Sequence, residues 1–357
     1  MADILQGKRI VLGVSGGIAA YKAAELVRLL VQAGAQVEVV LTVHAREFVT
    51  PLTFAALSGR RVRSELFGPE AEPLEHLTLG QEVDAIVIAP ATANLIGKLA
   101  AGIADDLLST VVVAATRPIL LCPAMNVKMY ENPVVQENLA KLAARGLTVL
   151  PPEAGPMACG AYGPGRLPEP STIMEYLVAL LTPKDLQGYR FLVSAGPTQE
   201  DLDPVRFLTN RSSGKMGYAV ARQAWRRGAA VCLVSGPTAL PAPLGVERVA
   251  VRSAVEMEQA LRERFPNCDA LVMAAAVGDY RFQEVADQKL KRSGAELTLT
   301  LIPNPDILLN LKELRTHQVL VGFAAETSDL LKHAREKLER KGLDLMVAND
   351  VQAPHSG

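Results

Sequence analysis

What most constrains this chain is a rhythm: short β-branched runs, each closed by glycine or a polar turn, alternate with amphipathic stretches along its length. Lys8 to Val14 predicts a strand, Ile18 to Ala33 a helix and Gln36 to Leu41 a strand; Asp84 to Ala89, Pro118 to Cys122 and Thr148 to Leu150 continue the strands. Helices are expected at Asn94 to Ala101, Asp105 to Ala115 and Pro133 to Arg145, and from a Ser171 cap to Leu181. Apolar runs without polar alternation need cover on both faces, and a strand–helix–strand order makes such strands parallel.

The order then restarts. LTPKDLQG, Leu181 to Gly188, breaks a helix at Pro183 and ends in glycine; YRFLVSAGPTQE after it repeats the layout of KRIVLGVSGG near the start. Strands follow at Arg190 to Ser194, Ala230 to Val234, Ala270 to Ala274, Gln318 to Gly322 and Asp344 to Val347. Helices fall at Gly217 to Arg227, Ala254 to Phe265, Pro305 to Leu314 and Ser328 to Lys341. The expectation is an α/β chain of two doubly wound, Rossmann-like domains, residues 1–186 and 187–357. A hydrophobic content of 49% supplies both cores.

Several function classes drop out. A net charge of −1 argues against a nucleic-acid surface. The cysteines at 122, 159, 232 and 268 have neither CxxC spacing nor disulfide density, which predicts a reducing, cytoplasmic setting. The histidines form no metal-ligand pattern. No export leader is read at the N-terminus, and no apolar run reaches the ~20 residues that span a bilayer, so no membrane role is expected.

Chemistry is expected at the strand exits. PAMNVKMY, Pro123 to Tyr130, is an unusual loop in which Asn126 can offer both a carbonyl and an NH2. GPMACGAYGPGR, Gly155 to Arg166, holds Cys159 among small residues. GVSGGIAAYK puts Ser15, Gly16 and Gly17 at a helix start, where amides bind anions; a tight turn with no ligand fits the same residues equally. The next strand ends in Leu41, Thr42 and Val43, with no acid to clamp a ribose, so a mononucleotide phosphate fits better than NAD. In IAPATAN, Thr92 and Asn94 suit a flat ring or a polyol chain, though Thr92 also reads as a helix cap. Taken alone, His76 in PLEHLTLG and Cys159 read more simply as structural residues.

In the second half, NRSSGKMG, Asn210 to Gly217, has a phosphate-cradling composition without being a Walker loop. Its Arg and Lys oppose the helix dipole unless an anion is present. Arg206 can pair with a carboxylate or phosphate through both arms. AAAVGDYRF, DQKLKR, NPDILL and VGFAAET repeat the strand-exit theme; Asp279 can accept from an amino group and Lys289 can neutralise triphosphate charge.

GVSGGIAAYK, the His76 segment, APATAN, PAMNVKMY and ACGAYGPGR, in this order, resemble the phosphopantothenoylcysteine decarboxylases, a branch of the homo-oligomeric FMN-dependent cysteine decarboxylases. The second half resembles the phosphopantothenate–cysteine ligase domain, and the order of the halves is that of the bifunctional bacterial enzyme of coenzyme A synthesis. The resemblance implies FMN held by Ser15, Gly16, Gly17, Thr42, Pro90, Ala91, Thr92, Ala93 and Asn94. It implies that Asn126 holds the substrate carboxylate, His76 manages the thiol proton and Cys159 donates the final proton. For the ligase it implies CTP, with Mg2+, at Ala274, Ala275, Asp279, Lys289, Pro305, Asp306, Ile307, Leu308, Phe323, Lys337 and Lys341, with Asp279 as the candidate metal ligand. Ser212, Ser213, Gly214 and Lys215 would take the substrate phosphate, Asn210 and Arg206 would hold the acyl intermediate, and Lys289 would stabilise the charge built in activation. The implied substrates are 4′-phosphopantothenate, cysteine and CTP. The implied assembly combines trimeric decarboxylase units with paired ligase domains, up to a dodecamer.

Departures from the family pattern stand at Gln199, Asp201, Gly278 and Phe282. Relatives also run past the Asn349-Asp350-Val351 stretch, which raises the expectation of a truncated ligase domain. The rival expectations are a decarboxylase with an incomplete ligase half, and a catalytically idle flavoprotein scaffold.

Overall fold

The computed structural model describes residues 2–67, 71–158, 160–292, 294, 296–326 and 330–350. The chain forms two compact units, residues 1–182 and 183–357. The division precedes the expected 186/187 boundary because the Pro183–Gly188 turn is bonded into the second unit. Lys184 Nζ donates to Arg226 O at 2.6 Å, Leu186 N to Arg227 O at 3.0 Å, and Arg227 grips both oxygens of Asp185 at 2.8 and 2.6 Å.

In the first unit the strands β1 (Arg9–Val14), β2 (Gln36–Leu41), β3 (Ala85–Ala91), β4 (Ile119–Pro123) and β5 (Thr148–Val149) make a parallel sheet in the order β2-β1-β3-β4-β5. A hairpin of β6 (Glu153–Pro156) and β7 (Tyr162–Arg166) follows. The helices are α1 (Ala2–Leu5), α2 (Ala20–Gln32), α3 (Pro51–Ser58), α4 (Glu75–Gln81), α5 (Ala93–Ala101), α6 (Leu107–Val113), α7 (Val127–Tyr130), α8 (Pro133–Ala144) and α9 (Pro170–Leu181). Two cores cover the two faces of the sheet. Helix α2 belongs to one of them because Ala20, Ala23, Leu26, Val27 and Leu30 recur at three- and four-residue spacing and are buried. Each buried Leu or Val there contributes about 1.5–3 kcal/mol. Helix α9 starts two residues earlier than the Ser171 cap implies. Glu169 is its N-cap residue and Pro170 its first helical residue, a position where a missing N–H costs nothing.

The chain leaves β1 to one side for β2 and returns on the other side for β3, so the carboxyl ends of β1 and β3 flank a topological switch point, the usual site of a ligand crevice. The pairing of β3 with β4 shifts register between Ile88 and Ala91, which sets Ala91 opposite Pro123. That shift brings the APATAN and PAMN loops side by side.

The second unit has β8 (Arg190–Ala195), β9 (Gln199–Asp201), β10 (Phe207–Thr209), β11 (Ala230–Ser235), β12 (Glu247–Ala250), β13 (Ala270–Met273), β14 (Tyr280–Phe282), β15 (Leu301–Pro303), β16 (Val319–Glu326) and β17 (Leu345–Asp350). Its helices are α10 (Lys215–Arg226), α11 (Ala254–Arg264), α12 (Ile307–Lys312) and α13 (Leu330–Lys341). The main sheet is parallel in the order β12-β11-β8-β13-β16-β17, the mononucleotide-pair order of the Rossmann fold, with its switch point between β8 and β13. The edge strand β12 and the antiparallel pairs β9/β10 and β14/β15 are additions that the apolar rhythm does not announce. Among the described residues no helix is long and apolar enough to cross a membrane.

Candidate active sites

A cavity of about 1010 Å³ opens at the switch point of the first unit. Ser15, Gly16 and Gly17 line it after β1, Thr42 after β2, Thr92, Ala93 and Asn94 after β3, and Ala124, Met125 and Asn126 after β4. The start of α2 and the start of α5 therefore both face the cavity, and each presents amides and the positive end of a helix dipole to it. Ile18, Val43, Leu95, Met125 and Met129 add apolar wall. No acid from the segment after β2 lines the cavity to clamp a ribose. The carboxylates on the lining, Asp105 and Asp106, are held by Lys98 Nζ at 2.7 and 3.1 Å. A mononucleotide with a flat ring fits this lining.

Some expected ligand residues do other work. The hydroxyl proton of Ser15 goes to Pro90 O at 2.8 Å, and its oxygen accepts from Thr92 N at 2.9 Å. Ser15 is 2% exposed and its hydroxyl staples the β1 exit to the β3 exit, while the residue also lines the cavity. Pro90 and Ala91 are buried beneath the loop and do not line the cavity, because the register shift turns them into the sheet. Thr92 caps α5 by accepting from Leu95 N at 3.5 Å, so its cap reading holds alongside its place on the cavity wall.

The PAMN loop is braced from two sides. Ala124 N donates to Ala91 O and Met125 N to Gly165 O, both at 3.0 Å. Gly165 is required at that contact: its φ is +154°, and a Cβ would lie 2.2 Å from Met125 O. Asn126 caps α7, its Oδ1 accepting from Lys128 N at 2.9 Å. Met157 and Ala158, at the tip of the β6/β7 hairpin, also line the cavity. Cys159 lies outside the described residues.

His76 is not brought to this cavity within one chain. It sits half-buried on α4, whose first residues are fixed by charge. Glu75 is buried and paired with Arg63 Nε, and Arg63 Nη1 also reaches Glu38 at 2.6 Å. His44 does line the cavity, although no motif announces it, and so do Lys22, which closes the GVSGGIAAYK stretch, and Arg166. Lys22 Nζ ties α2 to Leu167 O at 3.1 Å and to Glu169 at 2.7 Å.

At the switch point of the second unit, Asn210 follows β10 and donates its amide NH2 to Ala276 O at 3.1 Å and Val277 O at 3.2 Å. This joins Asn210 to the Ala274–Asp279 connection after β13. Thr198 reinforces the join: its O accepts from Thr209 Oγ1 at 2.7 Å and its Oγ1 from Gly278 N at 2.9 Å. Gly214 caps α10 at φ +77°, where a Cβ would lie 3.2 Å from Gly196 Cα. Only bare backbone lets the α10 start approach the β8 exit so closely. Ser212 and Ser213 accept from Gly214 N and Lys215 N at 3.3 and 3.4 Å and so shape the turn, while Lys215 is exposed.

Further along the sheet, Lys341 Nζ reaches Asp306 at 2.9 Å and Lys337 Nζ reaches Phe323 O at 3.4 Å, which pairs these expected nucleotide residues two by two. Ile307 and Leu308 do not join them as side chains. They are 3% and 6% exposed and belong to the core under α12. Arg206 also departs from expectation. Its guanidinium is taken up by Asp203 and by Leu290 O at 2.8 Å rather than held open as a two-armed anion clamp. Asp279 and Lys289 are exposed, and among the described residues no group of His, Cys, Asp and Glu could hold a metal ion.

Residues 2–182 match the family described as Flavoprotein, and residues 186–357 match the DNA/pantothenate metabolism flavoprotein C-terminal domain. The chain is similar to the coenzyme A biosynthesis bifunctional protein CoaBC of Vibrio vulnificus (strain YJ016), with 48% identity over 357 residues that cover 99% of this chain and 89% of the relative. It is similar to the protein of the same description from Escherichia coli (strain K12), with 48% identity over 359 residues, 99% of this chain and 88% of the relative. A crystal structure of the C-terminal domain of a coenzyme A biosynthesis bifunctional protein aligns at 47% identity with a TM-score of 0.43, over 47% of this chain and 80% of that one.

Proposed function

From the premise that this chain belongs to the family of bifunctional coenzyme A biosynthesis flavoproteins, we propose how its two units divide the work. Residues 187–357 join cysteine to 4′-phosphopantothenate at the expense of CTP, releasing pyrophosphate and CMP. Residues 1–186 decarboxylate the product to 4′-phosphopantetheine with FMN. The observation that carries the reading is the first cavity: two helix starts, an acid-free ribose position and the braced Asn126 face one space at a switch point.

When bound, FMN supplies a two-electron oxidation at the thiol-bearing carbon of the substrate and the matching reduction at the end. The oxidised substrate is a β-thioxo acid, which loses CO2 because the carbanion delocalises onto sulfur. Gly16, Gly17 and the start of α2 would hold the FMN phosphate, and Thr92, Ala93 and Asn94 would hold the rest of the cofactor. Asn126, with Oδ1 fixed by Lys128 N, turns its NH2 end to the carboxylate. An uncharged donor holds that group without the cation that would stabilise the ground state. His76 manages the thiol proton, since an imidazole can both accept and donate one. Because His76 does not line its own chain's cavity, a second copy delivers it, in keeping with a homo-oligomer of trimeric decarboxylase units and paired ligase domains. Cys159 returns the last proton from a glycine-rich hairpin able to close over the product.

In the second unit, attack of the pantothenate carboxylate on the α-phosphorus of CTP expels pyrophosphate and leaves an acyl-cytidylate. The cysteine amine then displaces CMP. Asn210 holds the acyl group, and Asp279 accepts from the cytosine amino group and so prefers CTP to UTP. Lys289 answers the charge built on phosphorus, with Mg2+ accompanying the triphosphate. Lys337 and Lys341 flank the nucleotide beside Phe323. The setting is cytoplasmic.

The test is a mass-spectrometric product assay on FMN-loaded protein given 4′-phosphopantothenate, cysteine, CTP and Mg2+. The expected product is 4′-phosphopantetheine. Its appearance only when 4′-phosphopantothenoylcysteine is supplied would leave a decarboxylase with an idle ligase half.

A further inference from the structure

The loop that carries Lys289 is tied at Leu290, and the tie there is made through a carboxylate. Asp203 is 1% exposed although it lies in a loop. Its Oδ1 accepts from Val205 N and Arg206 N, both at 2.9 Å. Its Oδ2 accepts from Arg206 Nε at 3.0 Å, from Arg206 Nη2, and from Leu290 N at 3.0 Å. Arg206 returns the link by donating from Nη2 to Leu290 O at 2.8 Å. A little upstream, Ala286 N donates to Leu202 O at 3.0 Å. Both backbone groups of Leu290 are thus held, by partners that are themselves ionised and paired. Charge-assisted bonds of this kind are about twice as strong as neutral ones. The Arg206 guanidinium is the main cause holding the Asp203 carboxyl well below the usual carboxylate range; burial opposes it, and the backbone N–H donors add to it.

Lys289 precedes Leu290 directly, so the tie fixes the peptide plane from which the lysine side chain departs. We propose that Asp203 is the positioning residue for Lys289, acting through Leu290 and Arg206, and that without it the lysine no longer meets the charge developing during nucleotide activation. This rests on the role given to Lys289 above. Arg206 takes part in the same device, because its arms complete the clamp on the Lys289 loop. A positioning group acts on the transition state, so its loss lowers kcat for activation and spares nucleotide binding.

The test uses the whole FMN-loaded chain and compares Asp203→Asn, Lys289→Gln and the double variant, with CTP-dependent pyrophosphate release in the presence of 4′-phosphopantothenate as the readout. Asp203→Asn is expected to lower kcat by about tenfold or more while the Kd for CTP changes by less than about threefold. The double variant should be no slower than Lys289→Gln alone, since residues acting in series do not add. Trypsin should cut the 289–292 stretch faster in Asp203→Asn than in the wild type. Wild-type turnover by Asp203→Asn alongside an impaired Lys289→Gln would overturn the tie and leave the ligase reading standing. Losses that multiply in the double variant would also overturn it, as would loss of CTP binding by Asp203→Asn, which would make Asp203 a holder of the fold. Wild-type turnover by Lys289→Gln would remove the role of Lys289 and this inference with it.

Discussion

Ser15 shows how a residue type can be right for a loop and misleading about what the side chain does there. Its sequence setting, between a strand and a glycine turn, is that of an anion-site hydroxyl. Both of its hydrogen-bonding roles are instead spent on the neighbouring strand exit, on Pro90 O and Thr92 N. Ser15→Ala would strand the Thr92 N–H at a site that is only 2% exposed on the serine side. The expected cost is about 1–3 kcal/mol, read as a lower urea midpoint together with weaker FMN retention. An unchanged midpoint would mean that the staple carries no stability. Arg206 and Ile307 teach the same lesson: a guanidinium and an apolar residue beside a motif are spent on the loop and the core before any ligand arrives.

At the scale of elements, α4 is held in a strained and charged way. Leu74 enters it at φ +61°, the one non-glycine residue with positive φ among the described residues. The next residue, Glu75, is buried against Arg63, which is itself shared with Glu38. Arg60 reaches the other oxygen of Glu38 at 2.7 Å, so the charge left chiefly stranded by Arg63→Ala is that of Glu75. Breaking a buried pair by removing one partner costs about 3–5 kcal/mol. We expect Arg63→Ala to lower the stability of the first unit by that order in chemical denaturation. Decarboxylation should fall as well, since His76 follows Glu75. Activity equal to wild type at a temperature where the variant is still folded would separate the α4 start from the chemistry.

At the scale of the whole chain, each unit has its own cores and its own sheet. Unfolding is therefore not expected to be a single two-state event. Calorimetry should resolve two transitions. FMN at about a hundred times its Kd should stabilise only the first unit, by about 2.7 kcal/mol, and CTP should act on the other transition; one shared transition moved equally by both ligands would contradict this. The sequence by itself determined the two parallel sheets, the restart near Pro183 and the strand-exit loops that line the first cavity. Apolar runs, helical spacing and glycine turns are local signals, and a buried parallel strand has few other ways to be written. It left unread the edge strand β12 and the antiparallel pairs, whose residues are half-exposed and lack a clear period. Only the tertiary structure decided that Ser15 staples, that His44 faces the first cavity while His76 does not, and that Asp203 reaches Leu290 across 87 positions. Which hydrogen-bonding group a side chain meets depends on how loops from separate strands converge, and that convergence is fixed by strand order and register, which no single segment encodes.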